Sequence, residues 1–160
     1  MKILQTTLLY LFSKKQILLA MKKRGFGVGK YNGIGGKLEL GETVEQAMIR
    51  ETQEEIGVTP TNYQKHGVLQ FDVYLKGEHV LEDVHIFTAT EFDGEPRETE
   101  EMRPAWFALD KIPYDKMFQT DKIWLPLVLE KCVCFEGVFK FSTDLDSKLI
   151  NYELKTYRRT

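Results

Sequence analysis

The chain carries almost no imbalance of charge: 22 Lys and Arg stand against 24 Asp and Glu over 160 residues, a formal net charge of −2. With its basic residues spread thinly it offers no electrostatic footprint for a DNA or RNA backbone, so a nucleic-acid polymer is not the expected partner. Cysteine is as scarce. Cys132 and Cys134 lie two apart in an apolar run, too close for ordinary bridging and too few for a zinc site, and read as reduced core or strand residues. No apolar run reaches the length of a transmembrane helix. The N-terminus begins like a secretory signal, with Lys2 ahead of apolar residues. Gln5, Thr6 and Thr7 interrupt that run and Lys14–Lys15 close it early, so a buried strand and a cytosolic protein are expected. Repeats, linkers and low-complexity segments are also missing.

What is present suits a globular protein: 42% hydrophobic and 29% charged residues, in a length that fits a single domain over 1–160 with one sizeable core. Ile3–Phe12 and Gln16–Met21 flank Ser13–Lys14–Lys15 and predict a strand hairpin. Residues 22 to 42 hold seven glycines, a density that suits backbone bending sharply or approaching a ligand. Thr43 and Gln46 have capping-box spacing, and Gly57 can take the left-handed conformation that ends a helix of about four turns. Leu69, Phe71 and Val73 alternate with polar neighbours, and Val80–Phe92 is a second β-rich run. A further strand is expected at Arg103–Leu109 and a helix, shortened or kinked by Pro126, at Asp121–Glu130. Cys132–Phe141 and Leu149–Thr156 predict a closing pair of strands. The pattern indicates an α/β protein, a mixed sheet sandwiched between helices.

On the first helix Glu51, Glu54 and Glu55 stand at i, i+3 and i+4, so three carboxylates converge on one face. At an effective dielectric near 20 and about 6 Å, each pair costs roughly 2 to 3 kcal/mol before screening. The last turn of a helix also disfavours anions. A solvated acidic face is the bland reading. A hard divalent cation such as Mg²⁺ or Mn²⁺ would turn the cost into a gain, with Arg50 orienting one of the glutamates.

The spacing extends the observation. From Gly36 the chain reads GKLELGETVEQAMIRETQEEIGV: Gly36, five residues, Glu42, seven residues, Arg50–Glu51, two residues, Glu54–Glu55, one residue, Gly57, then Val58. This resembles the signature of the Nudix hydrolases. Thr52 stands where that family often has a larger aliphatic residue. A Walker A reading fails because Leu38 follows Gly36–Lys37, and Gly25, Gly27 and Gly29 lack the context of a dinucleotide fingerprint.

The resemblance implies a Nudix fold and a Mg²⁺-dependent hydrolase, with Mn²⁺ as a substitute. Glu51, Glu54, Glu55 and the Gly36 carbonyl would be metal ligands bridging the substrate phosphates. Glu101 would be a further ligand, or else part of a solvated acidic loop with Glu98 and Glu100. The catalytic set would be Arg50, Glu51, Glu54 and Glu55; spacing leaves open which glutamate is ligand and which is base.

Four segments extend the similarity to the MutT-type members of the family that hydrolyse oxidised purine nucleoside triphosphates. They are MKKRGFGVGKYNGIGGK at 21 to 37, DVHIF at 83 to 87, EMRPAWF at 101 to 107, and Trp124–Leu125–Pro126–Leu127. This implies release of pyrophosphate and a nucleoside monophosphate, and so the clearing of damaged nucleotides from the precursor pool. It also implies a base pocket from Thr7, Lys22, Phe26, Asn32, Phe71, Phe118, Thr120, Asp121 and Trp124. Without it Phe71 and Trp124 read equally as core, Lys22 as surface and Asn32 as a turn residue.

The chain departs from that branch at Thr120, where a first of two adjacent aspartates is usual, and at Phe118, in place of tryptophan. Glu82 and Val73 replace methionine and phenylalanine. Two neighbouring carboxyls can share a proton and threonine cannot, so a narrowed or shifted base preference is expected. The partner is a small nucleotide, with no membrane and a monomeric state. Other readings are a Nudix hydrolase of another nucleotide, such as O6-methyl-dGTP or ADP-ribose, and a nucleotide-binding module without turnover.

Overall fold

The apolar hairpin at the N-terminus forms as expected. In the computed structural model, which describes residues 1–130 and 133–158, β1 (Lys2–Ser13) and β2 (Gln16–Lys22) pair antiparallel from Leu11↔Leu18 to Ser13↔Gln16. The turn is two residues long, with Lys14 at φ 50° and Lys15 at φ 64°, both left-handed as a type I′ turn demands. Two lysines lack the usual Asn-Gly chemistry, and the buried strands on either side impose the geometry.

Beyond Leu11 toward its N-terminus, β1 leaves β2. The short strand β3 (Tyr31–Asn32), which the sequence did not announce, takes the vacated edge of β2 through Ala20↔Asn32 and Met21↔Tyr31. Residues 33–37 then bridge back to β1 at Leu9↔Ile34 and Thr6↔Lys37. The sheet is thus split, and a glycine-rich segment runs through the split. Gly35 permits the approach: a Cβ there would fall 1.7 Å from the Thr7 carbonyl oxygen.

Helix α1 (Val44–Ile56) carries the expected capping box. Thr43 accepts from the Gln46 amide at 3.1 Å while the Gln46 side chain accepts from the Thr43 amide at 2.9 Å, and Gly57 closes the helix at φ 74°. Such a cap is worth about 1 kcal/mol. Thr52 lies fully buried on this helix, its hydroxyl donating to the Met48 carbonyl at 2.8 Å, which is how the smaller polar residue is tolerated.

β4 (Thr59–Leu75) and β5 (Glu78–Asp93) form a long antiparallel hairpin, closed by a second left-handed pair at Lys76 and Gly77. β4 begins ten residues before the alternation at Leu69, because register shifts at Pro60/Asn62, Asn62/Tyr63 and Lys65/Gly67 break its period-2 pattern. β6 (Met102–Ala108) pairs with β2, α2 (Asp121–Val128) stops two residues short of Glu130, and β7 (Val133–Phe141) and β8 (Leu149–Arg158) close the chain. Cys134 is half-buried in β7, and the expectation for Cys132 lies outside the described residues.

Among the described residues the sheet has eight strands, in the order β3-β2-β1-β5-β4-β7-β8 with β6 beside β2. β1–β5 and β4–β7 are parallel and the other pairs antiparallel, so the sheet is mixed. The alternation of β1 sorts the two cores. Leu9 and Leu11 pack with Met48 and Ile56 of α1 on one face; Tyr10 packs with Trp124, Leu125 and Val128 of α2 on the other. Among the described residues no helix is long and apolar enough to cross a membrane.

Candidate active site

Arg50 is the hub of an acidic cluster, and of the three helix glutamates it holds Glu51 and Glu54. Its Nε donates to Glu42 Oε2 at 2.6 Å and Nη2 to Glu42 Oε1 at 3.0 Å, while Nη1 reaches Glu51 Oε1 at 3.0 Å and Glu54 Oε2 at 3.2 Å. Nη2 also donates to the Lys37 carbonyl at 3.0 Å, which ties the helix to the segment threading the sheet. Where the sequence suggested that Arg50 orients one glutamate, it hydrogen-bonds three, with Glu39 a fourth carboxylate at 3.6 Å. Glu42, known only as a signature position, is its firmest partner.

Glu55 turns inward. It is 4% exposed, and its Oε2 is buried without a hydrogen-bond partner among the described residues. Burial first, then the charge of Glu51, raises its pKa well above the carboxylate range; nearby Glu101 adds to the rise and a Gly35 backbone hydrogen bond opposes it. Glu51 is also raised, by burial, against the opposing pull of Arg50. Both shifts run in the same direction, as expected of two neighbouring carboxyls that share a half-buried to buried setting.

Gly36 stands against this pair, since a Cβ there would lie 2.7 Å from the Glu51 carboxyl carbon. Its carbonyl accepts from the Thr7 amide at 2.9 Å and keeps its second lone pair. Glu54 is the exposed member, and Glu101, half-exposed, pairs with Arg24 at 3.2 Å.

The expected ligand set is gathered but not closed. Among the described residues no three acidic, histidine or cysteine side chains already surround one cation-sized point. Like charges explain this, since the carboxyls repel one another and Arg50 offsets that repulsion only for those it touches. The chemistry of the donors, all hard oxygens with one buried and unpartnered, fits a divalent cation of the magnesium type.

On the other side of the sheet's split lies a cleft of about 270 Å³. All nine residues expected at a base pocket line it: Thr7, Lys22, Phe26, Asn32, Phe71, Phe118, Thr120, Asp121 and Trp124. Gly35, Gly36 and Lys37 line it too, so the cleft runs to the foot of the acidic cluster.

Phe26 and Phe118 stack at 5.8 Å across the entrance, and Lys30 sits 5.4 Å from the Phe118 ring centre. Trp124 meets Tyr10 edge to face at 5.9 Å, so it is core residue and cleft wall at once, as is Phe71. Asn32 Oδ1 accepts from the Gly33 amide at 2.8 Å and the Tyr10 hydroxyl at 3.3 Å. That leaves its amide as the donor for anything in the cleft. Thr7 Oγ1 is buried and unpartnered among the described residues.

Asp121 is 4% exposed and accepts from the Phe118 amide at 3.0 Å. Burial pushes its pKa up to about 7, against the pull of that amide, of Lys30 and of the Trp124 indole. The indole N–H lies near the carboxylate but makes no hydrogen bond of good geometry. Thr120, at the head of α2, is 2% exposed, and its hydroxyl caps nothing.

Two charged wall residues, Lys30 and Lys37, were not named from the sequence, and Glu82, noted there as a departure from the branch, is a further charged residue on the wall. A signal for Glu82 existed. Val80, Val84 and Ile86 alternate into the α2-side core, and Glu82 is the one charged residue in that row.

A NUDIX domain model matches residues 2–128. The chain is 50% identical over 135 residues to the oxidized purine nucleoside triphosphate hydrolase of Danio rerio, covering 84% of this chain and 85% of that one. It is 44% identical over 149 residues to the Mus musculus protein of the same name, covering 93% and 92%. Among solved structures, a MutT protein from Bacillus halodurans superposes with a TM-score of 0.82 at 28% identity, covering 95% of this chain and 97% of that one.

Proposed function

Because the chain belongs to the Nudix hydrolase family, we propose that it converts oxidised purine nucleoside triphosphates to the monophosphate and pyrophosphate, and so removes damaged precursors from the nucleotide pool. The observation that carries this reading is the continuity of the cleft. Groups suited to a purine at one end are joined by Gly35, Gly36 and Lys37 to a carboxyl cluster suited to phosphate chemistry at the other. We take residues 1–160 to act as one such unit.

Family members typically use a divalent metal. Here Glu51, Glu54, Glu55 and the Gly36 carbonyl would hold Mg²⁺ or Mn²⁺, with Glu101 within reach. The ion would neutralise charge on the phosphate oxygens and lower the pKa of water.

The protein's own side chains do the rest. Arg50 fixes the carboxylate rotamers. Glu55 is buried beside Glu51 with one unpartnered oxygen, so its carboxylate is placed either to hold the ion or to accept a proton from water. Lys37 adds positive charge at the end of the cleft nearest the carboxyls, and Lys22 and Lys30 add it elsewhere on the wall.

At the base end Asn32 donates through its amide, and Asp121 accepts when ionised or donates when protonated. Phe26, Phe118 and Trp124 shield the ring faces. A single titrating carboxyl, with Thr120 beside it, offers fewer donor and acceptor states than two would. This supports a base preference narrower than a pair of aspartates would allow.

The test is steady-state kinetics with Mg²⁺ on 8-oxo-dGTP, 2-hydroxy-dATP, O6-methyl-dGTP and the normal dNTPs, with products identified. Release of pyrophosphate from an oxidised purine at a kcat/KM well above that for its normal counterpart is expected. Equal values across the panel would refute a selective pocket.

A further inference from the structure

A carboxylate in an otherwise apolar strand face needs a reason, and Glu82 has one partner where it could have two. Its Oε2 accepts from Thr6 Oγ1 at 3.0 Å, and no hydrogen bond among the described residues engages Oε1. The side chain lines the cleft with Thr6 on one neighbouring strand and Phe71 on the other, its register partner. Burial raises its pKa above the ordinary carboxylate value, and the Thr6 hydroxyl and nearby Lys37 oppose the rise without cancelling it.

Position along β1 shows which part of a purine it would meet. Tyr10 marks the end where Asn32 and Trp124 stand, and Thr6 marks the end where Glu82 stands. Four residue steps along the strand separate them, roughly 13 Å at about 3.3 Å each. That span accommodates a purine with a hydrogen-bonding group at either edge. With Asn32 and Asp121 at one edge, Glu82 faces the opposite one, the imidazole edge.

Oxidation at C8 changes that edge: an 8-oxopurine carries N7–H, a donor, where the normal purine presents an N7 lone pair. We propose that Glu82 is a specificity-determining acceptor, which hydrogen-bonds the N7–H of an 8-oxopurine and repels the N7 lone pair of the unmodified base. The inference rests on reading the cleft as the base site. It assigns the discrimination to a residue on β5, outside the α2 segment that carries Thr120 and Asp121. It also separates two kinds of damage, because 2-hydroxyadenine keeps its N7 lone pair and gains nothing from Glu82.

The experiment compares wild type, Glu82→Gln and Glu82→Met on 8-oxo-dGTP, dGTP and 7-deaza-dGTP, in which a C–H replaces the N7 lone pair. Glu82→Gln is nearly isosteric and can still accept from Thr6. It guards against a result that reflects misfolding. A charge-assisted hydrogen bond on one side and a lone-pair repulsion on the other predict that either variant lowers the 8-oxo-dGTP to dGTP ratio of kcat/KM by about tenfold to a hundredfold. Wild type should prefer 7-deaza-dGTP to dGTP, and Glu82→Met should erase that preference. Ratios within about twofold of wild type, or an equal loss on all three substrates, would overturn the assignment, the second by pointing to the shared sugar. Failure of wild type to cleave 8-oxo-dGTP at all would instead overturn the base-site reading.

Discussion

Replacing Asp121 by asparagine should stabilise the protein increasingly as pH rises. The carboxyl is 4% exposed, and burial moves its pKa from the ordinary 3.8 to about 7. Between those values the folded protein binds a proton at Asp121 that the unfolded chain has lost, so stability must fall as pH climbs through the interval. At about 1.36 kcal/mol per pH unit the full cost is about 4 kcal/mol, reached once pH exceeds about 7. By pH 5 somewhat over a third of it has already been incurred, which leaves about 3 kcal/mol to appear between pH 5 and pH 8. The assay is urea unfolding of wild type and Asp121→Asn at those two pH values. Every other titrating group cancels in the double difference unless it couples to this site. Asparagine should gain about 3 kcal/mol on wild type across the interval. Parallel pH profiles would refute the reasoning, because they would mean that Asp121 is not ionised at the expense of the fold. The same titration should change the group's role toward a ligand from donor below about pH 7 to acceptor above it.

Glu55→Gln should leave the fold intact yet lower Mg²⁺-dependent kcat by at least about a hundredfold, and should weaken the heat signal of Mg²⁺ binding in calorimetry; unchanged turnover would remove Glu55 from the machinery. Arg50→Ala should cost about 2 kcal/mol in urea unfolding, since it leaves Glu42 and Glu51 without their shared cation in a half-buried setting; an unchanged midpoint would show that the hub is ornamental. Gly35→Ala should destabilise by about 3 kcal/mol or more and raise KM, because its Cβ cannot coexist with the Thr7 carbonyl; wild-type thermal stability would contradict the packing described.

Local rules in the sequence reached most of the elements and failed where tertiary structure intervened. The helix at Val44–Ile56 was legible because Thr43, Gln46 and Gly57 act within a few residues of themselves. β3 was not: Tyr31–Asn32 is a strand only because β1 leaves an edge of β2 free beside it. The start of β4 was hidden by its bulges, which break the alternation that announces a strand. At the site, the glutamate spacing pointed to the cluster, and the family likeness pointed to nine residues that do gather round one cleft. Composition and periodicity alone left Phe71 and Trp124 undecided between core and wall, and the question had no single answer because they are both. Lys30 and Lys37 went unread because a lysine's direction depends on the path of the glycine-rich segment, which no local rule fixes.

The split in the sheet decides how this enzyme can change over time. The acidic cluster of α1 and the α2 side of the cleft lie on opposite faces, and the strip of chain between them is registered by main-chain bonds at Thr7–Gly36 and Leu9–Ile34. That strip works as a ruler whose length no side chain sets. On the proposed function, side chains around the base, such as Thr120, Phe118 and Glu82, could therefore be exchanged without moving the phosphates from the carboxyls, so that base preference and cleavage chemistry would vary independently.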